Sequence, residues 1–530
     1  MGFREAFRLT DDDGLHAIPP GSSKAADIRS EDSLERGEFS LVPPPTDDPA
    51  DPLNWSTWRK AAITFFITSF AFVSNFWLSV LGPALPFLRP AFGTPLSSSK
   101  LSPIIAGATL TAAVSSIWWV PLANTYGRRP VLLVSTTLSL ACCIWCARAE
   151  SYNSLLSARI VTGTFIGSSE TVCPDIVGET FLYHRRGRIM TIYTFGLAAG
   201  STVGGLTGGY IAVNLGWRWC LWLPAIGFGL LAIFCFLAVP ESLYNRDMAL
   251  PVSEDTEEEA VASTQTGGNK GHQHVERIPS APYTFARSLR VFVTHRPGLV
   301  RRLIQPWFSL RFPVVIVVCL DYAGLTGGLI SASTVGPTLL AMPPYNWGQN
   351  VGLLSVGATI GIGAGLLYSL SLSDWVVARA AKKHRSGTIE PESRLPMVIP
   401  ALFLATMGML IFGLCGQNPG ESRWVGLEAG IAMIAFGVTV SPAVLFSYII
   451  DTHYEISGDA FTMAAVARGI VSFAFTWFVS DWVTSRGAAE PFGVFTAIMG
   501  VFSLLAVALY FYGKRLRIAT ASWLTGYHGH

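Results

Sequence analysis

Four ionisable residues stand inside long apolar stretches of the chain: Arg159, Glu170, Asp321 and Arg468. Each costs on the order of 3 kcal/mol in hydrocarbon unless it is paired or wetted, so each marks a place where chemistry is expected. A carboxylate there can take up and release a proton, and an arginine can hold a carboxylate or an anionic substrate. Arg159 and Glu170 are eleven residues apart, close to three helical turns, so one helix would set both on one face with Gly163 and Ile166 between them. At 1.5 Å rise per residue they would be roughly 16 Å apart, too far for a direct salt bridge. Each then needs water, a substrate or a partner from another helix. Either that face lines a central cavity, or each residue makes a structural ion pair with a neighbour.

Asp321 lies about a third of the way into its apolar run and is followed by Gly324, Gly327 and Gly328, which loosen a helix around a site. Desolvation favours the neutral form of a buried carboxyl, as a proton carrier requires, which makes Glu170 and Asp321 the two carrier candidates. Arg468 is placed to be their partner or to anchor an anionic substrate. Asp175 and Glu179, one turn apart on the opposite face from Glu170, are placed to bind the basic turn at Arg185 to Arg188.

The elements that must position these residues are membrane spans. Of the 530 residues, 50% are hydrophobic and only 14% charged, whereas a soluble protein averages nearer a quarter charged. At roughly 20 apolar residues per span, about twelve runs qualify. The fold class expected is an all-α polytopic membrane protein. Residues 1–58 read as an acidic, proline-rich arm ending in an interfacial anchor, with Trp55, Trp58, Arg59 and Lys60 at the membrane surface. Residues 59–239 and 311–513 read as two six-span halves. Between them, 240–310 is a polar linker whose end, Tyr283 to Phe308, mixes arginines with apolar residues as an interfacial helix would. Residues 514–530 form a short basic tail. The aromatics of the first span, Phe65, Phe66, Phe70, Phe76 and Trp77, are expected to face lipid in the main.

Orientation follows from the cations. The turn Gly127-Arg128-Arg129-Pro130 between two apolar runs must lie at a membrane surface, and positive charge prefers the cytoplasmic side. With the N-terminus inside, the inner turns and tail hold Arg128, Arg129, Arg185, Arg186, Arg188, Lys382, Lys383, Arg385, Lys514, Arg515 and Arg517, while the outer loops offer only scattered cations such as Arg89, Lys100, Arg148 and Arg423. Both termini are therefore expected in the cytoplasm. The second half echoes the basic turn at Ser373-Asp374-Trp375 with Arg379, a repetition that parallel repeats produce.

Gly196, Gly200, Gly204 and Gly208 recur every four residues and so form one stripe on a helix, as do Gly357, Gly361 and Gly365. Such stripes permit close backbone approach, either as fixed packing or as a seam that slides between states.

Other classes are disfavoured. A net charge of +2 with cations at span ends does not suggest nucleic acid. The eight cysteines fall mostly in apolar runs without metal-site or disulfide spacing, and His272 and His274 lack further ligands, so no metal is expected. No nucleophile and base stand at a recognisable spacing for an enzyme.

From Asp51 to the end of the last span, the chain resembles a fungal member of the major facilitator superfamily, close to its twelve-span drug:proton antiporter branch. The resemblance rests on Pro121 to Arg129, Asp51-Pro52-Leu53-Asn54-Trp55-Ser56, Pro240-Glu241-Ser242, Pro343-Pro344-Tyr345-Asn346-Trp347, Ser373-Asp374-Trp375, Glu390 to Leu395 and Tyr448 to Asp451 leading to Arg468. It implies the major facilitator fold, a gating role for Asn124, Gly127, Arg128, Arg129, Asp374 and Arg379, and a link between Arg159 and proton transfer. The family usually has an aspartate where this chain has Asn124, which implies a more loosely held gate. The glycine-rich fifth span resembles a motif associated with antiporters, without the proline often found in it.

The function expected is proton-coupled export of a small amphipathic organic compound by alternating access, without a cofactor beyond the proton gradient. An uptake permease for a nutrient or polyamine is the alternative on the same fold, and a non-transporting sensor is a third reading. The expected partners are a small molecule and the lipid bilayer, with the protein a monomer in the plasma membrane.

Overall fold

In a bilayer, backbone N–H and C=O groups find no partners but one another, so long apolar runs become helices. The computed structural model describes residues 23–24, 51–88, 92, 98–181, 183–243, 299–383, 388–389, 391–453 and 456–527. The first half comprises α1 (Thr57–Ser79), α2 (Ser98–Val114), α3 (Ser116–Tyr126), α4 (Arg128–Ala147), α5 (Tyr152–Ile166), α6 (Ser168–Thr180), α7 (Tyr183–Asn214) and α8 (Trp219–Ala238). The linker contributes α9 (Leu299–Ser309). The second half comprises α10 (Pro313–Ala341), α11 (Ser355–Lys383), α12 (Val398–Gln417), α13 (Trp424–Thr452), α14 (Ser457–Arg486) and α15 (Ala489–Tyr527).

Among the described residues, ten segments are long and apolar enough to cross a membrane. Two of the expected spans, α5–α6 and α7, fall outside those ten. The first carries Arg159, Glu170, Asp175 and Glu179, and the second opens on a cationic turn and is rich in glycine, which lowers their hydropathy without ending the helix. Buried apolar side chains gather in two clusters, one from Trp55 to Val239 and one from Phe312 to Leu509, so each half has its own core.

Two spans are interrupted. At Ser115 and at Gly167 the helix is interrupted for one residue that keeps right-handed helical angles, φ −62° and −60°, so the chain continues in the same direction. A side chain at Gly167 would collide with the Ala112 carbonyl, and one at Gly163 with that of Ala108, so α5 lies directly against α2 here. Arg159 and Glu170 thus sit on two segments rather than on one continuous helix face.

The two glycine stripes are seams inside the halves. Gly196, Gly200, Gly204 and Gly208 of α7 face the backbone of Thr68, Phe72 and Phe76 in α1 and of Val80 just after it. Gly357, Gly361 and Gly365 of α11 face Glu428, Ala432 and Phe436 in α13. Between the halves other glycines make the close approaches: Gly205 to Ser355, Gly209 to the Gln349 carbonyl, Gly352 to Leu206 and Gly469 to Ala113. At the end of the bundle opposite Gly127, Ser102 donates to Ser480 at 2.6 Å and Tyr210 to Asn350 Oδ1 at 2.8 Å.

Three expectations are corrected. Phe66, Phe70 and Trp77 are fully buried because α1 is flanked by α7 and α8, where Phe66 stacks on Phe234 and Phe70 meets Phe228 edge-on; only Phe65, 60% exposed, turns outward. Trp55 belongs to the first core, while Trp58 is exposed as an anchor would be. The basic tail continues as helix to Tyr527, with Arg517 fully buried. Of the N-terminal arm, Ser23–Lys24 pairs antiparallel with Thr388–Ile389; the rest up to Ala50, the linker from Tyr244 to Gly298, and with them His272 and His274, lie outside the described residues.

Candidate functional site

Midway along the bundle, Arg468 of α14 forms an ion pair with Glu170 of α6, joining the two halves across 298 residues of sequence. The side chains are 13% and 8% exposed. Sequence spacing singled out both residues and named Arg468 as a possible partner, and the structure brings these two together. The Arg468 guanidinium lies 5.7 Å from the ring of Tyr322, which packs edge-on to Phe446 at 5.5 Å, itself 4.8 Å from Phe461. Glu170 Oε1 and Arg468 Nε are both buried without a hydrogen-bond partner. Close by on α6, the Ser169 carbonyl accepts the hydroxyl of buried Tyr193 at 2.8 Å.

Asp321 is held apart from this pair. It is fully buried in α10, where Ser441 of α13 donates to Oδ2 and Oδ1 has no partner. One hydroxyl donor is little for a carboxylate that can accept about four hydrogen bonds.

Arg159 finds its partners on other helices, as its spacing required, but they are not acids. It is fully buried inside the first half, donating to the Trp77 carbonyl at 3.0 Å and to that of Ile104 at 3.4 Å, with its guanidinium 3.8 Å from the Trp77 ring. Carbonyls and an indole face thus stand where an acid was expected.

At the Gly127 end, the chain passes from α3 to α4 through Gly127 at φ 107°, ψ 158°, a conformation that side chains exclude. Arg128 reaches Asp175 at 3.3 Å and Glu179 at 2.9 Å, and Glu179 also accepts from Ser242 at 2.9 Å. Glu241 accepts the peptide N–H groups of Arg128 at 2.8 Å and Arg129 at 3.0 Å. Burial pushes the Glu241 carboxyl above its ordinary range, against the pull of the N–H groups of Leu243, Arg128 and Arg129. Asp175 and Glu179 therefore hold Arg128; the side chains of Arg185, Arg186 and Arg188, their expected partners, lie outside the described residues. Nor is the turn short of negative charge: three carboxylates from α6 and from the segment after α8 surround it, although position 124 supplies none.

The linker joins here too. Arg302 of α9 donates to the Asn124 carbonyl at 2.6 Å, and a cavity of about 270 Å³ is lined by Val120, Pro121, Asn124, Arg302, Gln305 and Asp459. Helix α9 turns Ile304 and Trp307 outward, as the expected interfacial helix would. Asp374 and Arg379 lie on α11, but their side chains are outside the described residues.

A second charge cluster escaped sequence reasoning. Arg517 of α15 grips Glu392 with two bonds, Nε at 2.8 Å and Nη2 at 2.7 Å, and Tyr448 donates to the same carboxylate at 3.2 Å. Its signal was the segment Glu390 to Leu395, noted only as a family mark. Beside it, burial and then the charge of Arg517 push the His453 imidazole down to about 4.

Residues 64–476 match the Major Facilitator Superfamily, and the chain belongs to that family. It is therefore an integral membrane transporter of small molecules, not an enzyme. Its fungal relatives include Protein HOL1 of Saccharomyces cerevisiae, 24% identical over 91% of both chains. Another is Efflux pump radE of Floropilus chiversii, 22% identical over 89% of this chain and 83% of that one. Among solved structures, the inward open xylose transporter XylE from E. coli superposes with a TM-score of 0.54 at 16% identity, covering 84% of this chain and 95% of that one, which shows the shared fold.

Proposed function

We propose that this transporter couples inward proton movement to export of a small amphipathic organic compound by alternating access. Asp321 carries the reading. A fully buried carboxylate with one hydroxyl donor and one orphaned oxygen requires a proton or a cation at some stage of the cycle. Glu170 is neutralised by Arg468 across the halves and becomes a second carrier only when that pair opens. The aromatic group of Tyr322, Phe446 and Phe461 beside the pair suits an apolar body. Export is supported by the relative whose name is an efflux pump. The Gly127 end faces the cytoplasm in this reading, both termini lie there, and one chain in the plasma membrane suffices.

The test is movement of a panel of fluorescent amphipathic dyes in sealed liposomes with an imposed pH gradient. Dye movement opposite to proton flow is expected in the native protein, and Asp321→Asn should abolish it without loss of folded protein. Flux indifferent to the gradient overturns the coupling. Flux in the same direction as protons overturns export.

A further inference from the structure

We infer that the polar centre of the site, Glu170 with Arg468, receives an uncharged group that both donates and accepts a hydrogen bond, such as a primary amide or a hydroxyl. This rests on the reading that the pair lies on the transport path.

The pair is already neutral as a unit, and it is more than four-fifths buried on both sides. A cationic ligand would have to take Glu170 and leave Arg468 buried without its partner; an anionic one would do the reverse. Either exchange leaves an uncompensated charge in a poorly solvated place, which is costly. Among the atoms the pair buries, one acceptor, Glu170 Oε1, and one donor, Arg468 Nε, have no partner. Because the two atoms belong to groups already in contact, one small ligand group with an N–H or O–H beside an oxygen can serve both at once. That ligand relieves two orphaned polar atoms without disturbing the ion pair. Tyr322, under Arg468 and edge-on to Phe446, supplies an apolar wall for the remainder of the molecule. The discrimination is of the kind in which a site built for a donor–acceptor group leaves its own polar atoms unpaired against any other.

The test uses three near-isosteric probes on the purified full-length protein: 4-phenylbutanamide, 4-phenylbutylamine and 4-phenylbutanoate, with affinity read by titration calorimetry at neutral pH. The amide should bind at least tenfold more tightly than either charged probe. In the double variant Glu170→Gln with Arg468→Gln, which leaves no buried charge alone, the three affinities should fall within about threefold of one another. Tightest binding of the amine or of the carboxylate overturns the inference, as does binding of none of the three, or an undiminished preference in the double variant. The wild-type ranking needs no variant to fold. Gradient-driven dye movement, measured separately, reports on the transport reading itself, so the two can fail independently.

Discussion

The Glu241 carboxylate receives the peptide N–H of Arg128 at 2.8 Å and that of Arg129 at 3.0 Å, so a residue beyond the end of α8 closes the N-terminus of α4. Charge at such a position also complements the helix dipole. Glu241→Gln keeps the shape, removes the charge and replaces one acceptor by an amide, which should cost about 1–2 kcal/mol. A lowered thermal unfolding midpoint is expected, and an unchanged one would remove this role.

Asn124 and Arg302 line one small cavity, and the Arg302 guanidinium already reaches the Asn124 carbonyl. Asn124→Asp adds a carboxylate beside that cation and near the start of α4. The linker helix α9 should then be held more firmly against the first half, closing this end. Cysteine-labelling reagents applied from the side proposed as cytoplasmic should react several-fold more slowly; equal rates in both proteins would contradict it.

Arg517 and Glu392 are a buried bidentate pair. Arg517→Met strands a carboxylate and should destabilise the second half by about 3–5 kcal/mol. Adding Glu392→Gln, which can still accept from Tyr448, should recover at least half of the lost unfolding midpoint. A double variant no better than the single one would show that the arginine acts through packing alone.

His453 is buried against Phe312 and bonded to Thr452 at 2.8 Å. Its pKa is pushed down to about 4, below the ordinary 6.5, so the folded state binds fewer protons than the unfolded one between those values. The stability this group contributes is complete above pH 6.5 and is lost as pH falls toward 4. At pH 5 the loss should be about 2 kcal/mol. In His453→Gln that part of the acid sensitivity should vanish, and an identical pH profile would refute the assignment.

Glycines in the two kinds of contact should behave differently. Gly200→Ala drives a methyl into the Phe72 backbone, which cannot yield, so folded protein should fall sharply. Gly205→Val meets the Ser355 side chain across the halves and should leave the fold intact while slowing dye movement tenfold or more. Size-exclusion profiles and flux measured on the same preparations separate the outcomes.

Apolar runs and cation placement made the membrane bundle and its division legible, because both act locally along the chain. Spacing alone marked Glu170 and Arg468, since charge in an apolar run is conspicuous wherever it stands. It offered Arg468 as a partner for either Glu170 or Asp321 and did not choose between them, for that contact depends on how two halves dock. Arg159 misled for a related reason: periodicity reports a face, not whether that face meets a cavity or a tryptophan. Trp77 and Phe66 were misplaced because hydropathy does not separate a helix inside a bundle from one against lipid. Arg517 read as a topological cation because its partner, Glu392, lies 125 residues earlier.

The glycine seams bear on the order in which the molecule is assembled. Every close approach of the first stripe is between α7 and α1 or the residue just after it, and every one of the second is between α11 and α13. A ribosome releases α1 through α7 before any of the second half exists, so the first bundle can knit its tightest backbone contacts while the rest is still being made. The junctions at Gly205, Gly352 and Gly469 come last, when two finished bodies meet in the bilayer. A lesion in a seam should thus leave a half-built chain for quality control to remove, whereas a lesion at a junction should yield a mature protein that reaches its membrane and fails there.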